Sequence, residues 1–328
     1  MTSSKILTYE EINRDEWLKL VRNSSTGTWF QSPDAYAFYA SQSDLLIPFA
    51  FASETDGKLS AVCVGYTTKS PNLTKHFFTR RSIISGGICV ADDCAKSDVL
   101  NLLAFVRAFL SKQSIYIETR NFNDFTPWRE AFEQAGFLYQ PHLNFHVDCT
   151  QDLTNRLSEN RKRQLKRSVA SIEEAKGEID IREWYAILHD LYRTKVKTPL
   201  WPMEFFIEAY RQKIGKFLLV KQEGKIIGGS MIVADERCVY EWYECGLNAQ
   251  YRDLYPSVKA TYAGMEYAKK QGRVRYDMMG AGEPNVPYGV RDFKAEFGGV
   301  LVEHGRFLHI SKPLLYKIGA LGVKFLKR

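Results

Sequence analysis

A chain of 328 residues, 45% apolar, 13% aromatic and 25% charged, has the make-up of a folded globular protein long enough for two cores, which excludes a disordered chain. Its formal net charge of +7 favours an anionic partner (RNA, a phosphorylated precursor or an acidic membrane face) without choosing among them. The opening MTSSKILTYEEINRDEW lacks the basic-then-apolar order of a signal peptide, and no run approaches the ~20 apolar residues that span a bilayer, so a cytoplasmic protein is expected.

In chain order, WFQSP (29–33) is followed by the aromatic Tyr36. IPFAFAS (47–53) then leads through Asp56-Gly57-Lys58 into LSAVCVGYTT (59–68), which predicts a β-hairpin on a glycine turn. Val99, Leu102, Leu103, Val106 and Leu110 recur at helical spacing and predict a helix over 98–112, capped by Asp98; SIYIET (114–119) reads as the next strand. HLNFHVDC (142–149) alternates as a strand. From 153 to 175 the segment is highly charged and helical in pattern, with Leu157, Leu165, Val169 and Ile172 on a thin apolar stripe and Arg161, Lys162, Arg163, Lys166 and Arg167 outward. A solvated surface helix is the plain reading of such a run.

The first order of signals then repeats. KFLLVKQ (216–222) leads through Glu223-Gly224-Lys225 into IIGGSMIVAD (226–235), a helix is predicted over 257–271 with Pro256 at its start and Gly272 past its end, and RVRYDMM (273–279) reads as a strand. This points to a duplicated domain of mixed α/β (α+β) class, divided as 1–150 and 151–328, the second half opening on the basic helical connector. The last residues, with Leu314, Ile318, Leu321 and Phe325 flanked by Lys317, Lys324 and Arg328, form an amphipathic basic helix over 313–328; packing on its own domain is the simpler account, and an anionic membrane face the alternative.

Several chemistries have no signature here: G-x-x-x-x-G-K-[ST], G-x-S-x-G, H-E-x-x-H and the Rossmann glycines are all absent. The six cysteines contain no C-x-x-C pair, and no two histidines have metal-ligand spacing on a helix, so free thiols and no metal are expected; His142 and His146 are read as structural or surface residues. YEWYECG (240–246) crowds polar tips onto a strand, which suits a cleft wall better than a core.

The strand ending Y-D-M-M-G (276–280), followed by Y-G-x-x-x-F-K-x-x-F-G-G (288–299), resembles the C-terminal signature of the Fem-type aminoacyltransferases. R-N-F-N-D (120–124), A-G-F (135–137) and N-R-K-R-Q-L-K-R (160–167) fall in order before it, and the opening W-F-Q-S-P is similar to that family's Q-x-x-x-W region. The resemblance implies two tandem GNAT-like domains, each a mixed, mostly antiparallel sheet flanked by helices. It also implies an acyltransferase that moves an aminoacyl group from an activated donor to an amine of a cell-envelope, peptidoglycan-type precursor, with the donor as co-substrate and no further cofactor. Lys294 and Phe293 are then expected beside the donor, with Tyr288, Trp242 and Tyr243 lining the site. Arg161, Lys162, Arg163 and Arg167 are expected to contact phosphates, and Gln31 and Tyr36 to mark the opening region that meets the acceptor. Lys294 stabilises developing negative charge, and Lys294→Ala is expected to lose activity while keeping the fold. Glu241, Glu244 and Asp277 are the candidates for a base, with a water or substrate relay as the alternative and a turn cap as the plain role of Asp277.

Two departures bear on the substrates. Where acetyltransferases of this fold carry a glycine-rich loop for coenzyme A pyrophosphate, this chain has Arg252-Asp253-Leu254-Tyr255-Pro256-Ser257, which favours aminoacyl-tRNA as donor over acyl-coenzyme A. Where peptidoglycan-modifying members place a lysine after the opening motif, it has Tyr36-Ala37-Phe38-Tyr39-Ala40, so the acceptor is left open, a lipid-linked precursor included. An acyl-coenzyme A dependent N-acyltransferase on the same fold and a non-catalytic RNA- or membrane-binding protein remain the rival readings. The expected location is cytoplasmic, with peripheral contact at the inner membrane face as an option.

Overall fold

The computed structural model of the chain describes residues 4–69 and 79–326, and side chains as far as residue 320. It comprises two compact units, Met1–His142 with Glu303–Arg328, and Leu143–Val302.

The first unit begins with β1 (Ser4–Thr8), β2 (Leu46–Thr55), β3 (Lys58–Thr68), β4 (Arg81–Gly86), β5 (Cys89–Val90), β6 (Tyr116–Asn121) and β7 (Leu138–Gln140). The second holds β8 (Leu143–Asp148), β9 (Ser171–Glu174), β10 (Lys216–Gln222), β11 (Lys225–Ala234), β12 (Cys238–Gly246), β13 (Arg275–Gly280) and β14 (Val300–Glu303), after which β15 (Arg306–Ile310) returns to the first. Strand order is β1-β2-β3-β4-β6-β15-β7 in one sheet, with β5 on β3, and β14-β8-β13-β12-β11-β10-β9 in the other. Read from opposite ends, the two orders correspond strand for strand. In each, an antiparallel hairpin is followed by a strand, a long helix and a strand parallel to it: β4 with β6, β12 with β13.

Both expected hairpins form, and for the same local reason. Asp56 and Gly57 (φ 48° and 76°) and Glu223 and Gly224 (φ 51° and 79°) are all left-handed, the two-residue turn that matches strand twist. The long helices run Lys96–Leu110 and Pro256–Lys270. Val99, Leu102, Leu103, Val106 and Leu110 are fully buried against the first sheet with Phe49, Ile117 and Phe307. Asp98 does not cap its helix; it accepts from Thr55 Oγ1 at 2.7 Å, and Ala95 takes the cap position. All six cysteines are free.

Three expectations are corrected. The chain does not divide at 150: β8 puts Phe145 and Val147 into the second core, and β15 carries Phe307 back to stack on Phe132 in the first, with ring centroids 3.9 Å apart. The segment 153–175 is not one helix. It forms Leu153–Arg156 and Glu159–Arg167, restarted by Ser158, whose hydroxyl accepts from Arg161 N at 3.2 Å, and then the strand β9. Val169, expected on the apolar stripe, is 78% exposed, and Ile172 pairs with Val220 in the sheet.

The last helix, Pro313–Leu326, leaves Leu314 and Ile318 exposed while Tyr316 meets Tyr116 edge-on at 5.5 Å. The side chains of Leu321, Lys324 and Phe325, together with Lys327 and Arg328, lie outside the described residues. Among those described, no helix is long and apolar enough to cross a membrane.

Candidate active site

Strand β12 is irregular on both sides. Towards β11, Ile232 faces Glu241 while Met231 faces Tyr243, so Trp242 is an extra residue in a β-bulge. The bulge changes the alternation: Glu241 opposite Ile232 and Glu244 opposite Ser230 fall on one face, three residues apart instead of two. That face meets the helix Pro256–Lys270, where Ser230 Oγ donates to Ala260 O at 3.4 Å. Towards β13, pairing covers Cys238, Val239 and Tyr240 and then stops, so the strand from Glu241 to Gly246 parts from its parallel neighbour.

Three carboxyl groups and one ammonium gather where the strands part. Tyr276 Oη donates to Glu241 Oε1 at 2.9 Å, a contact made possible by Gly264, since any Cβ there would lie 2.3 Å from that hydroxyl. Burial pushes the Glu241 carboxyl above its ordinary value, and Lys294 only partly offsets this. Glu244 is held at about 8, first by burial and then by the charge of Glu241. Its Oε1 is enclosed and has no hydrogen-bond partner, although part of the side chain reaches the surface.

Asp277 is fully buried, accepts from Met279 N at 2.7 Å and lies 3.2 Å from His146 Nε2. Burial opposes its ionisation, but His146, Arg275 and the Met279 N–H outweigh burial and hold it below the usual carboxylate value. It is therefore a turn-holding residue: Met279 at φ 62° is kept in the left-handed region by that bond. Sequence reading missed His146 in this role; the signal was its place on β8, cross-strand from Asp277.

Lys294, on the helix Gly289–Ala295, is 8% exposed and donates to Met278 O and to Gly280 O, the latter at 2.9 Å. Burial pulls its ammonium below the ordinary value, and Glu241, Asp277 and Glu244 restore part of the loss. Two of its three donors are engaged, which leaves one for another oxygen.

Aromatic rings wall the region. Trp242 packs edge-on against Phe205 and Tyr243 against Phe206, at 5.6 and 5.0 Å. Tyr192, absent from the sequence reading, has its phenol pushed up to about 12 by burial and by nearby Tyr288 and Glu244. Tyr288 is exposed and lies against Gly282. Two surface hollows of about 470 and 460 Å³, both lined by Glu266 and Lys270, include none of the candidate residues.

Several expected binding residues are instead structural. Arg161 is buried, stacks over Phe293 and Phe297 at 4.6 and 5.2 Å and pairs with Glu296 at 3.4 Å, so its charge is used inside the unit. This accounts for the two phenylalanines of the F-K-x-x-F-G-G motif. The following Gly298 (φ 75°) lies where a Cβ would come within 2.2 Å of Arg156 O. Lys162 pairs with Glu159 at 2.7 Å, while Arg163 and Arg167 are exposed. Gln31 is completely buried: its amide donates to Val64 O and Ser85 O and accepts from Val64 N, tying β3 to β4 from within. Tyr36 stacks on Tyr9 at 3.8 Å and is half-buried.

At the first turn of the helix Pro256–Lys270, donors are scarce. Pro256 has no N–H, Asn248 Oδ1 accepts from Ser257 N at 3.2 Å, and Lys259 N already bonds Tyr255 O. Tyr255 itself is left-handed at φ 49°, where a glycine loop would be unstrained.

Residues 204–323 match the sequence model of the FemAB family. No curated protein matches the chain significantly. Among solved structures, FemX is similar with a TM-score of 0.72 at 16% identity, covering 96% of this chain and 99% of its own. A tandem GNAT protein from the clavulanic acid biosynthesis pathway gives 0.59 at 10% identity, covering 94% and 99%. The C-terminal domain of a putative lysylphosphatidylglycerol synthetase from Agrobacterium fabrum gives 0.57 at 14%, covering 94% of each chain. At these identities the structural likenesses speak for the fold, while the sequence match covers the stretch that carries Phe293, Lys294 and Gly298-Gly299. Over residues 204–323 the chain thus carries FemAB-family sequence, and as a whole it has a fold similar to that of FemX and of a tandem GNAT protein.

Proposed function

We propose that the chain transfers an aminoacyl group from aminoacyl-tRNA to an amine of a cell-envelope, peptidoglycan-type precursor, with the chemistry at the parting of β12 and β13. The observation that carries this reading is Glu244: a carboxyl held at about 8, with an unbonded oxygen, on a strand freed from its parallel neighbour beside Lys294. A base of that value is suited to an ammonium substrate near neutral pH. Glu244 takes one proton from the acceptor's ammonium, and the neutral amine attacks the ester carbonyl. The remaining Nζ donor of Lys294 supports the oxyanion. As the amide bond forms the ester C–O bond breaks, and the second amine proton passes to the departing ribose hydroxyl. The occupied first turn at Pro256-Ser257 offers little to a coenzyme A pyrophosphate, which supports the tRNA donor.

The test is single-turnover transfer from charged tRNA to an envelope-precursor amine, read by mass spectrometry, against acyl-coenzyme A as donor. An added residue from tRNA alone is the expected result. Transfer from coenzyme A thioester alone would replace this reading with the N-acyltransferase.

A further inference from the structure

The last helix carries a face that the proposed reaction does not use. From His304 to Arg328 the chain has no aspartate or glutamate, while Lys312, Lys317, Lys324, Lys327 and Arg328 follow one another along it. The stretch has one further arginine, Arg306, and Glu118 already pairs with it at 2.9 Å. The rest of the positive charge belongs to the helix and its immediate ends.

The helix is fastened at its start and along one side. Ser311 N and Lys312 N both donate to Ile115 O, at 2.9 and 3.0 Å, Ser311 Oγ donates to Ser111 Oγ at 3.1 Å, and Tyr316 sets its ring edge-on to Tyr116. Leu315 and Tyr316 are half-buried as a result. Another side is open: Leu314 is 78% and Ile318 55% exposed, and Lys317 is exposed beside them. Leu314 and Ile318 are one turn apart and share a face. In the sequence Leu321 and Phe325 continue that spacing, as Lys324 and Arg328 continue the row begun by Lys317.

Exposed aliphatic side chains scattered singly are ordinary, but an apolar stripe edged by a row of cations suits a helix lying in a headgroup layer. At 14 residues the helix is ~21 Å long, short of the ~30 Å hydrocarbon layer, so it would lie along a membrane and not cross it. The charges choose the occupant. Among the described residues Lys317 pairs with no carboxylate, so the fold leaves its charge for something outside. A second copy docked by the same face would set its own cations against these, with no acidic residue in the segment to meet them. RNA would satisfy the lysines and leave Leu314 and Ile318 in water. An anionic bilayer takes both groups: lipid phosphates meet the ammonium groups while the aliphatic side chains enter the acyl boundary.

We propose that the helix Pro313–Leu326 docks the protein on an anionic phospholipid surface, with Leu314 and Ile318 in the bilayer interface and the row of cations that begins at Lys317 among the headgroup phosphates. The docking is independent of the aminoacyl reaction, since vesicle binding is read without either substrate.

The experiment is flotation of the whole chain with vesicles of phosphatidylcholine alone and of an equal mixture of phosphatidylcholine and phosphatidylglycerol, at low and raised salt. Binding to the mixed vesicles, about tenfold or more above that to the neutral ones and weakened by salt, is the expected result. Leu314→Gln combined with Ile318→Gln should weaken it about tenfold or more, and Lys317→Gln about fivefold, the worth of one cation at an anionic surface. All three side chains are exposed, so melting curves should confirm that both variants fold. Failure of the wild type to float with the mixed vesicles, or equal flotation of wild type and double variant, overturns the docking. A dimer that the double variant loses, in a protein that no vesicle retains, also overturns it and gives the face to a second copy. So does tRNA binding that Lys317→Gln weakens in a protein that no vesicle retains, which gives the face to RNA.

Discussion

The two parallel strand pairs of this chain occupy the same place in a duplicated frame and behave differently. In the first unit β4 and β6 stay paired over six positions, from Arg81 beside Tyr116 to Gly86 beside Asn121. In the second, β12 and β13 pair over three and then part. A bulge at Trp242 accompanies the parting, and the freed strand carries two glutamates on one face. The closed pair has no such irregularity and presents cations on its outer face. Duplication thus supplied two copies of one scaffold, and the departure from regular pairing distinguishes the unit with acid–base groups from the unit with a charged surface.

The sharpest way to break this contrast is Glu244→Gln. Transfer should fall by about 10²–10⁴-fold, the usual worth of a positioned base, with melting behaviour retained. Because the base works when deprotonated, the wild-type rate should climb with pH and level off above about 8, and the variant should lose that slope. An unchanged pH–rate profile would return Glu244 to a structural role.

Next in size is Lys294→Met. Sequence reading expects a variant at this position to keep its fold, but an ammonium buried among Glu241, Glu244 and Asp277 is also a structural counter-ion. Its removal should cost about 3–5 kcal/mol in denaturant unfolding, with part recovered by adding Glu241→Gln. A fully stable variant would show that the carboxyl groups are neutral without it.

The first unit offers the matching measurement. Burial opposes ionisation of Glu118, but Arg120 and Arg306 more than offset it and hold the carboxyl at about 2. With its folded value depressed from 4.5, Glu118 contributes stability that is complete above the ordinary value and lost as pH falls towards 2; the amount is on the order of 3 kcal/mol. Glu118→Gln should remove this acid limb from unfolding curves recorded between neutral pH and about 2. The smallest effect belongs to the exposed Arg163 and Arg167. Substitution by Gln should leave stability within about 0.5 kcal/mol and lower the salt slope of tRNA binding by about one per residue removed.

What could be read from the chain followed the range of the interactions involved. The turns at Asp56-Gly57 and Glu223-Gly224 are local backbone chemistry, and the helices around Leu102 and Met265 are periodicity, so both were legible. The order of two hairpin-helix-strand repeats disclosed the duplicated fold. Lys294 and Glu244 were singled out as candidates by residue type and resemblance, but their surroundings were not legible, since burial of a lysine depends on strands brought in from elsewhere. His146 was dismissed for want of ligand spacing, and its partner lies across a strand pairing that no local pattern encodes. Arg161 was misread because a charged run is normally solvated; two phenylalanines 132 and 136 positions away, Phe293 and Phe297, take it inside.

The crossing of the last strand of each repeat has a consequence for how the protein is made. Emerging from the ribosome, residues 1–142 supply every strand of the first sheet except β15, which lies between β6 and β7 and is synthesised more than 160 residues after Gln140. Until then the edge of β6 stays open and Phe132 has no Phe307 to stack on. Completion of the two units in chain order is closed to this chain, because only the second is one continuous stretch, Leu143–Val302: the unit that starts first is the one that finishes last, and a nascent chain stalled near residue 300 should expose that edge to chaperones or to a second copy.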